Sequence, residues 1–385
     1  MSVAAELPGD FDLEAFARDL DALAAELRAE AGPADLRHLR KVEFIGRLSS
    51  LLGYATAWLA PNPLSILALS FGRYLRWTGV AHPVVHRGYD KLEGTPKSRF
   101  GGVFGRGWRR ALDWLDWIDP AAWHEEHNLQ HHYRLNEEAD PDLVERNLTW
   151  YRESRLPRWL RVAIVPLMAV SWKFVYYGPS TLEVLDHAEA RRAREEVEPL
   201  ADQLRRRWSE RGLASFIPAL GDRRIWLRSW APYFLTFFVL IPALFWPLGR
   251  WAVLSVVINS LLAELVTNAH AFVTIVPNHA GSDLYRFEGR TRSRAEFYLR
   301  QVVGSTNYRC GNDLVDMLHG WLNYQIEHHL WPDMSLLQYR KAQPRVREIC
   351  ERHGVPYVQE SVWVQCRKAV AIMVGDASMP VLERS

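Results

Sequence analysis

SWAPYFLTFFVLIPALFWPLGRWAVLSVVINSLLAELVTNAHAFVTIVP, residues 229–277, holds two long apolar runs back to back. Ser229–Leu248 has no ionisable side chain except Tyr233, and Trp251–Pro277 has only Glu264 and His270. About 20 apolar residues in a helix cross a hydrocarbon layer of roughly 30 Å, so each run predicts a membrane span. Glycine punctuates such runs, and here Gly249 with Arg250 marks the turn of a helical hairpin. Arg223, Arg224 and Arg228 precede the hairpin whereas only Arg250 sits in its turn, which predicts that both ends are cytosolic.

Working outward, Leu48–Gly72 is also free of charge but is broken by Pro61, Asn62 and Pro63. It predicts a second hairpin whose helices continue past Arg47 and Arg73, or a shorter re-entrant pair. Val162–Gly178 is apolar apart from Lys173 and either spans or lies in the interface. A mean hydropathy of −0.19 leaves much of the chain outside the membrane, chiefly residues 87–159, 182–227 and 285–385. The expected architecture is therefore an all-α integral membrane protein, with about four transmembrane helices in hairpins under a helical cytosolic cap. The acidic N-terminus lacks the basic start and apolar core of a secretory signal, so residues 1–45 are expected to form a cytosolic amphipathic helical segment, and residues 46–385 the membrane domain with its cap and tail.

Lys and Arg total 47 against 45 acidic residues, a net charge of +2, which gives no reason to expect nucleic acid or another strongly charged partner. Trp, at 17 residues, and Tyr, at 14, favour membrane interfaces and agree with the spans. Cys310, Cys350 and Cys366 are odd in number and widely spaced, which argues against a disulfide framework or a zinc knuckle. The Ala- and Arg-rich composition suggests a bacterial plasma membrane.

Fourteen histidines carry the chemistry. They concentrate in His82-Pro-Val-Val-His86, in His124-Glu-Glu-His127-Asn-Leu-Gln-His131-His132 and in Gln325-Ile-Glu-His328-His329, with His270 inside the second strong run. On a helix, residues i and i+4 share a face, so His82 aligns with His86 and His127 with His131. Imidazole suits transition metals, and so many nitrogen donors exceed what one four-coordinate zinc needs. Two metals are the natural count, and a pair of irons that activates O2 beside a bilayer has an acyl chain within reach. His38, His187 and His353 lie in charged contexts and read as surface residues, while His279 is left undecided.

The order HPVVH, then WHEEHNLQHH followed by DPD, then HGWLNYQIEHHLWP resembles the three histidine boxes of the membrane fatty acid desaturase family, and the last motif is close to its front-end branch. The similarity runs from about Leu48 to Tyr357, including Pro344, Val346 and Cys350 ahead of Gly354-Val-Pro-Tyr357. It implies iron ligation, and with it catalysis, by His82, His86, His127, His131, His132, His328 and His329, with His270 from the last membrane helix. Gln325 stands where many members have a histidine, and it ligates weakly, acts through water or orients a neighbour. His124 and His319 are additional and either ligate or support a ligand. Glu125, Glu126, Asp140, Asp142, Asp313 and Glu327 are candidates for fixing the rings from behind.

The resemblance implies O2-dependent insertion of a double bond into a fatty acyl chain carried on a lipid, coenzyme A or an acyl carrier protein. No His-Pro-Gly-Gly of a fused cytochrome b5 domain is present, so electrons are expected from a separate ferredoxin or cytochrome b5-type donor, docking on the cytosolic face through groups such as Arg106, Arg109 and Arg110. Trp123, Trp321 and Tyr324 are candidate walls of a substrate tunnel. Two other readings compete: a di-iron lipid hydroxylase or related oxygenase, which delivers oxygen to the product, and a metal transporter or sensor, which predicts polar groups along the spans.

Overall fold

The computed structural model describes residues 12–211 and 222–382. The first eleven residues of the N-terminal segment, 212–221 within the predicted soluble stretch 182–227, and the last three residues of the tail lie outside the described residues. The first described helix, α1 (Leu13–Glu30), is capped by Asp12, whose side chain accepts from the Ala15 amide. Phe16, Leu20, Leu23 and Leu27 recur at helical spacing and are buried against the cap. Helix α2 (Pro33–Ala57) starts at a proline and runs unbroken through residue 45, so the expected domain boundary falls inside a helix.

Pro61 and Pro63 do break the next run, and α3 (Pro63–Leu75) follows them. Asn62 caps α3 by accepting from the Ser65 amide at 2.8 Å, and its own amide donates to Asn259 Oδ1 at 3.0 Å. The helix begins at Pro63, a position suited to a residue with no amide hydrogen. It continues through a widened turn at Arg76–Ala81 into His82–Val85. Helices α2 and α3 lie backbone against backbone: a Cβ on Gly72 would sit 2.2 Å from Ser50 Oγ and 2.8 Å from the Gly46 carbonyl. This is the close approach that small residues permit where no water is available to drive association.

Among the described residues, three helices are long and apolar enough to cross a membrane: α4 (Arg158–Arg192), α5 (Arg223–Ala243) and α6 (Arg250–His279). Helices α5 and α6 form the predicted hairpin, turning at Gly249, whose φ of +98° is open to glycine at no steric cost. The α2–α3 hairpin packs along α6 and exposes Leu51, Leu52, Leu64 and Leu67 on its outer side. Apart from helices, the described residues hold two parallel pairs of two-residue strands, β1 (Arg286–Phe287) with β4 (Val381–Leu382) and β2 (Asn307–Tyr308) with β3 (Gln359–Glu360). These strands stitch the C-terminal tail onto the cap, beside helices α7 (Arg294–Val303), α8 (Gln325–Leu330), α9 (Leu336–His353) and α10 (Val362–Val374).

The apolar layer contains a buried polar hub centred on Glu264, the one acidic residue of its run. Its carboxylate accepts from Arg73 Nη1 at 3.1 Å, Trp117 Nε1 at 2.8 Å, Asn268 Nδ2 at 2.8 Å and the Tyr233 hydroxyl. Lys173 on α4 pairs with Asp116 at 2.9 Å alongside. A charge buried without a partner costs far more than a satisfied pair contributes, so the hub holds α3, α5, α6 and the cap in one register. Glu264→Gln strands the Arg73 charge and is expected to cost about 3–5 kcal/mol, seen as a lower unfolding temperature in detergent micelles. Joint Arg73→Met/Glu264→Met replacement should recover much of the loss; a single variant as stable as the parent would refute the hub's role.

Candidate metal centre

Three segments and one helix end deliver histidines to a common point. His82 and His86 lie at the end of α3, where the widened turn lets the His82 amide donate to the Trp77 carbonyl. His127, His131 and His132 belong to a short helix started by Pro120 and capped by Asp119, whose side chain accepts from the Ala121 and Ala122 amides. His328 and His329 lie on α8, and His279 sits at the cap end of α6. The second segment is also widened, and the His132 amide bonds to the His127 carbonyl five residues back. A regular helix predicts that His127 aligns with His131 alone; the wider turn brings His132 round as well, and its ring nitrogen lies 3.3 Å from that of His127.

Eight imidazoles form adjoining groups whose ligand atoms lie within 4.8 Å of one another. One joins His82, His86, His127 and His328, another joins His131, His279 and His329, and His132 lies with His328 and His329 between them. All eight are buried. Nε2 of His86, His328 and His329, and Nδ1 of His127 and His132, have no hydrogen-bond partner among the described residues. Buried polar atoms are rarely left so, and five together on facing rings fit a bound cation.

The outer edges of the rings are held. His131 Nδ1 donates to Asp140 Oδ1 at 2.9 Å, His329 Nδ1 to Gln301 Oε1 at 2.9 Å, and His328 Nδ1 to the Tyr339 oxygen at 3.2 Å. Tyr339 commits its own hydrogen to the carbonyls of Trp331 or Pro332, so it accepts from the ring. Such bonds select the tautomer that leaves Nε2 free for metal. Burial, reinforced by the neighbouring imidazoles, lowers the pKa values of His127, His132, His328 and His329 well below the ordinary value. Burial also opposes charge on His131, but the Asp140 carboxylate outweighs it and raises that pKa.

His270 is the expectation that the structure does not meet. Its Nε2 faces the Leu318 carbonyl at 2.6 Å, its ring stacks on Tyr74 at 4.0 Å, and it lies outside every cluster of ligand atoms. Nine residues on, His279 supplies the ring instead, where α6 reaches the cap. Gln325 does face the centre, with Nε2 2.9 Å from His279 Nε2. His124 bonds to Asn128 and His319 to the Val315 carbonyl, both outside the clusters. Glu125 pairs with Arg192, and Asp313 with Lys41 and Arg340, so neither holds a ring. Glu327 accepts from Asn307 and Tyr357, each at 2.8 Å. Asp142 approaches His127 and His131, beside Glu126, whose pKa burial raises well above the carboxylate range, with Asp142 and Asp140 adding to the effect. His187, expected at the surface, is buried, with Nε2 on the Glu198 carbonyl.

An apolar cavity of about 120 Å³ opens beside the rings, reaching His82, His127, His131 and His279. Trp77, Trp172, Phe272 and Met168 are among its walls, as is Trp123, which stacks on His127 at 4.4 Å. Trp321 and Tyr324 are not: the first packs against His38, and the second donates to Asp316. Gln301 and Tyr339 were not singled out from sequence and His279 was left undecided, since no motif joins them to the boxes.

Two substitutions separate the structure from the sequence expectation. His279→Ala should lower the iron content of purified protein, whereas His270→Ala should leave it close to that of the parent; the reverse order would refute the cluster. Asp140→Asn should weaken iron retention during chelator dialysis by about 10–100-fold, the usual cost of losing a carboxylate behind a ligating histidine.

A family model described as fatty acid desaturase matches residues 56–361, well over half of the chain. The chain is similar to the NADPH-dependent stearoyl-CoA 9-desaturase of Mycobacterium tuberculosis (strain ATCC 25618 / H37Rv), with 26% identity over 375 residues, covering 93% of this chain and 78% of the relative. Shorter matches join it to plant proteins. Delta(8)-fatty-acid desaturase 2 of Arabidopsis thaliana is 31% identical over 28% of this chain and 24% of its own, and acyl-lipid (9-3)-desaturase of Borago officinalis is 33% identical over 25% and 21%. With buried histidine clusters able to hold metal and apolar helices long enough to cross a membrane, the chain belongs to the fatty acid desaturase family and is an O2-dependent fatty acid desaturase.

Proposed function

We propose that the protein inserts a double bond into the acyl chain of a thioester or lipid at a centre of two irons, drawing electrons from a separate carrier. The observation that carries this reading is the pair of adjoining imidazole groups opening on an apolar cavity. His82, His86, His127 and His328 would hold one iron, and His131, His279 and His329 the other, with His132 between them. Bound there, iron supplies the O2 chemistry that no side-chain acid or base can supply against an unactivated C–H bond. A fatty acyl substrate agrees with the mycobacterial relative, whose name specifies stearoyl-CoA and which matches nearly the whole chain.

The protein's own contribution is placement and exclusion. Trp123, stacked on His127 and donating to the Tyr177 hydroxyl at 3.2 Å, fixes the cavity wall beside the rings. Trp77, Trp172 and Phe272 offer an acyl chain apolar contact and leave water few partners. Asp142 is the carboxyl group that lines the cavity, and beside it burial favours the neutral form of Glu126, to whose Oε2 the Tyr177 hydroxyl donates at 3.4 Å. The site would face the cytosol, on the side of Arg223, Arg224 and Arg228, in a bacterial plasma membrane.

The test is a fatty-acid profile by gas chromatography and mass spectrometry of cells expressing the chain beside a His131→Ala control, with iron measured on purified protein. A new acid lighter by two hydrogens, present only with the parent chain, is expected together with about two irons per chain. A product heavier by one oxygen would replace this reading with hydroxylation.

A further inference from the structure

We propose that the surface over the second histidine segment is the docking face for an acidic one-electron carrier protein; this rests on the desaturation reading above. The eight histidines are buried, and the chain emerges next to them at only a few points. Leu129, 40% exposed, lies two residues before His131, and Tyr133, 61% exposed, directly follows His132. Arg87, largely exposed, directly follows His86. Leu129 and Tyr133 place an apolar centre where a bound partner comes closest to the rings, one or two residues along the chain from them.

A basic rim surrounds that centre. Arg87, Arg106 and Arg192 stand around His124, and Arg134 stands beside Arg191 and Arg290. Two recesses open along the rim, one of about 290 Å³ between Gln130, Arg191 and Arg192, the other of about 470 Å³ between Arg134, Arg191 and Arg290, and His187 lines both. The acidic groups among them are engaged: Glu125 with Arg192 of the rim itself, Glu137 with Arg300, Glu138 with Arg205 and Arg286, and Glu198 with Arg206. Of the three arginines expected from sequence, Arg106 is the one that stays on this rim. Arg109 pairs with Asp113 at 2.8 Å, and Arg110 spends its donors on Asp119 and on the carbonyls of Arg228 and Asp116. An apolar centre with a charged rim is the anatomy of a transient protein interface, and complementary charge mainly sets the rate of encounter.

The electron count agrees with a carrier that visits twice. Converting –CH2–CH2– to –CH=CH– releases two hydrogens, and reducing O2 to two waters takes up those two together with two protons and two electrons. Each docking of the reduced carrier supplies one electron and returns the carrier oxidised.

The test uses the full-length protein in detergent, loaded with iron, with a plant-type [2Fe–2S] ferredoxin and the soluble haem domain of cytochrome b5 as probes. In Arg106→Glu/Arg134→Glu/Arg191→Glu, carrier affinity and the carrier-driven rate of iron reduction should each fall at least about tenfold, and their dependence on salt should flatten. Alkene formed in a single turnover after dithionite reduction should match the parent. Tyr133→Ser should weaken docking without changing the salt dependence. Unchanged carrier affinity would overturn the proposal, as would an equal loss in the dithionite experiment, or a rise in KM confined to the acyl thioester, which would assign the arginines to the substrate's phosphates. No alkene from the dithionite-reduced parent would overturn the desaturation reading instead, and carrier binding and iron reduction would still report on the surface.

Discussion

Eight imidazoles packed ring against ring away from water can coexist only if nearly all are neutral. Protonating any of His127, His132, His328 or His329 would bury a charge without a partner, and burial first, then the neighbouring rings, disfavour it. Neutral rings with free ring nitrogens are metal donors by default. The exception is His131, whose Asp140 partner favours charge and makes the ring a stronger donor when metal replaces the proton. Most of the cap serves this condition: Asp140, Gln301 and Tyr339 come from three separate segments, and each turns one ring inward.

The convergence also depends on helix turns that are not regular. Besides two in α5, at Trp226–Trp230 and Leu235–Leu240, widened turns occur at Arg76–Ala81, directly before His82, across His124–His131, and at Lys173–Tyr177 beside the cavity. Each moves the following side chain about one position round the helix relative to an ordinary turn. That extra residue lets His127, His131 and His132 face one centre, which about 3.6 residues per turn would not permit. Insertions of this kind often mark functional sites in helices, since the backbone accepts poorer geometry there in return for placement.

A second buried system supports the first from below. The Glu264 hub ties α3, α5 and α6 together, and Lys173, paired with Asp116, also sits 4.8 Å from the centre of the Trp77 ring. Trp77 is at once the wall between this charged cluster and the apolar cavity and the origin of the widened turn that ends at His82. The membrane helices therefore set the position of the first histidine pair through packed polar contacts, whose loss in a dry layer is costly.

Much of this was legible in the chain itself. Charge-free runs located the α5–α6 hairpin and its turn at Gly249, Pro61 and Pro63 located the break between α2 and α3, and the histidine spacings located three of the four contributors to the centre. These are local signals, written in apolar length, backbone restriction and side-chain period. What only tertiary structure decided was which isolated residue completes the set. His270 and His279 lie on the same helix and its extension, and nothing local distinguishes a ring stacked on Tyr74 and bonded to the Leu318 carbonyl from one facing His131 and His329. The same holds for Gln301, Tyr339 and the widened turns, because each depends on which distant segment packs opposite, and a partner's position is a property of the folded molecule, not of sequence spacing.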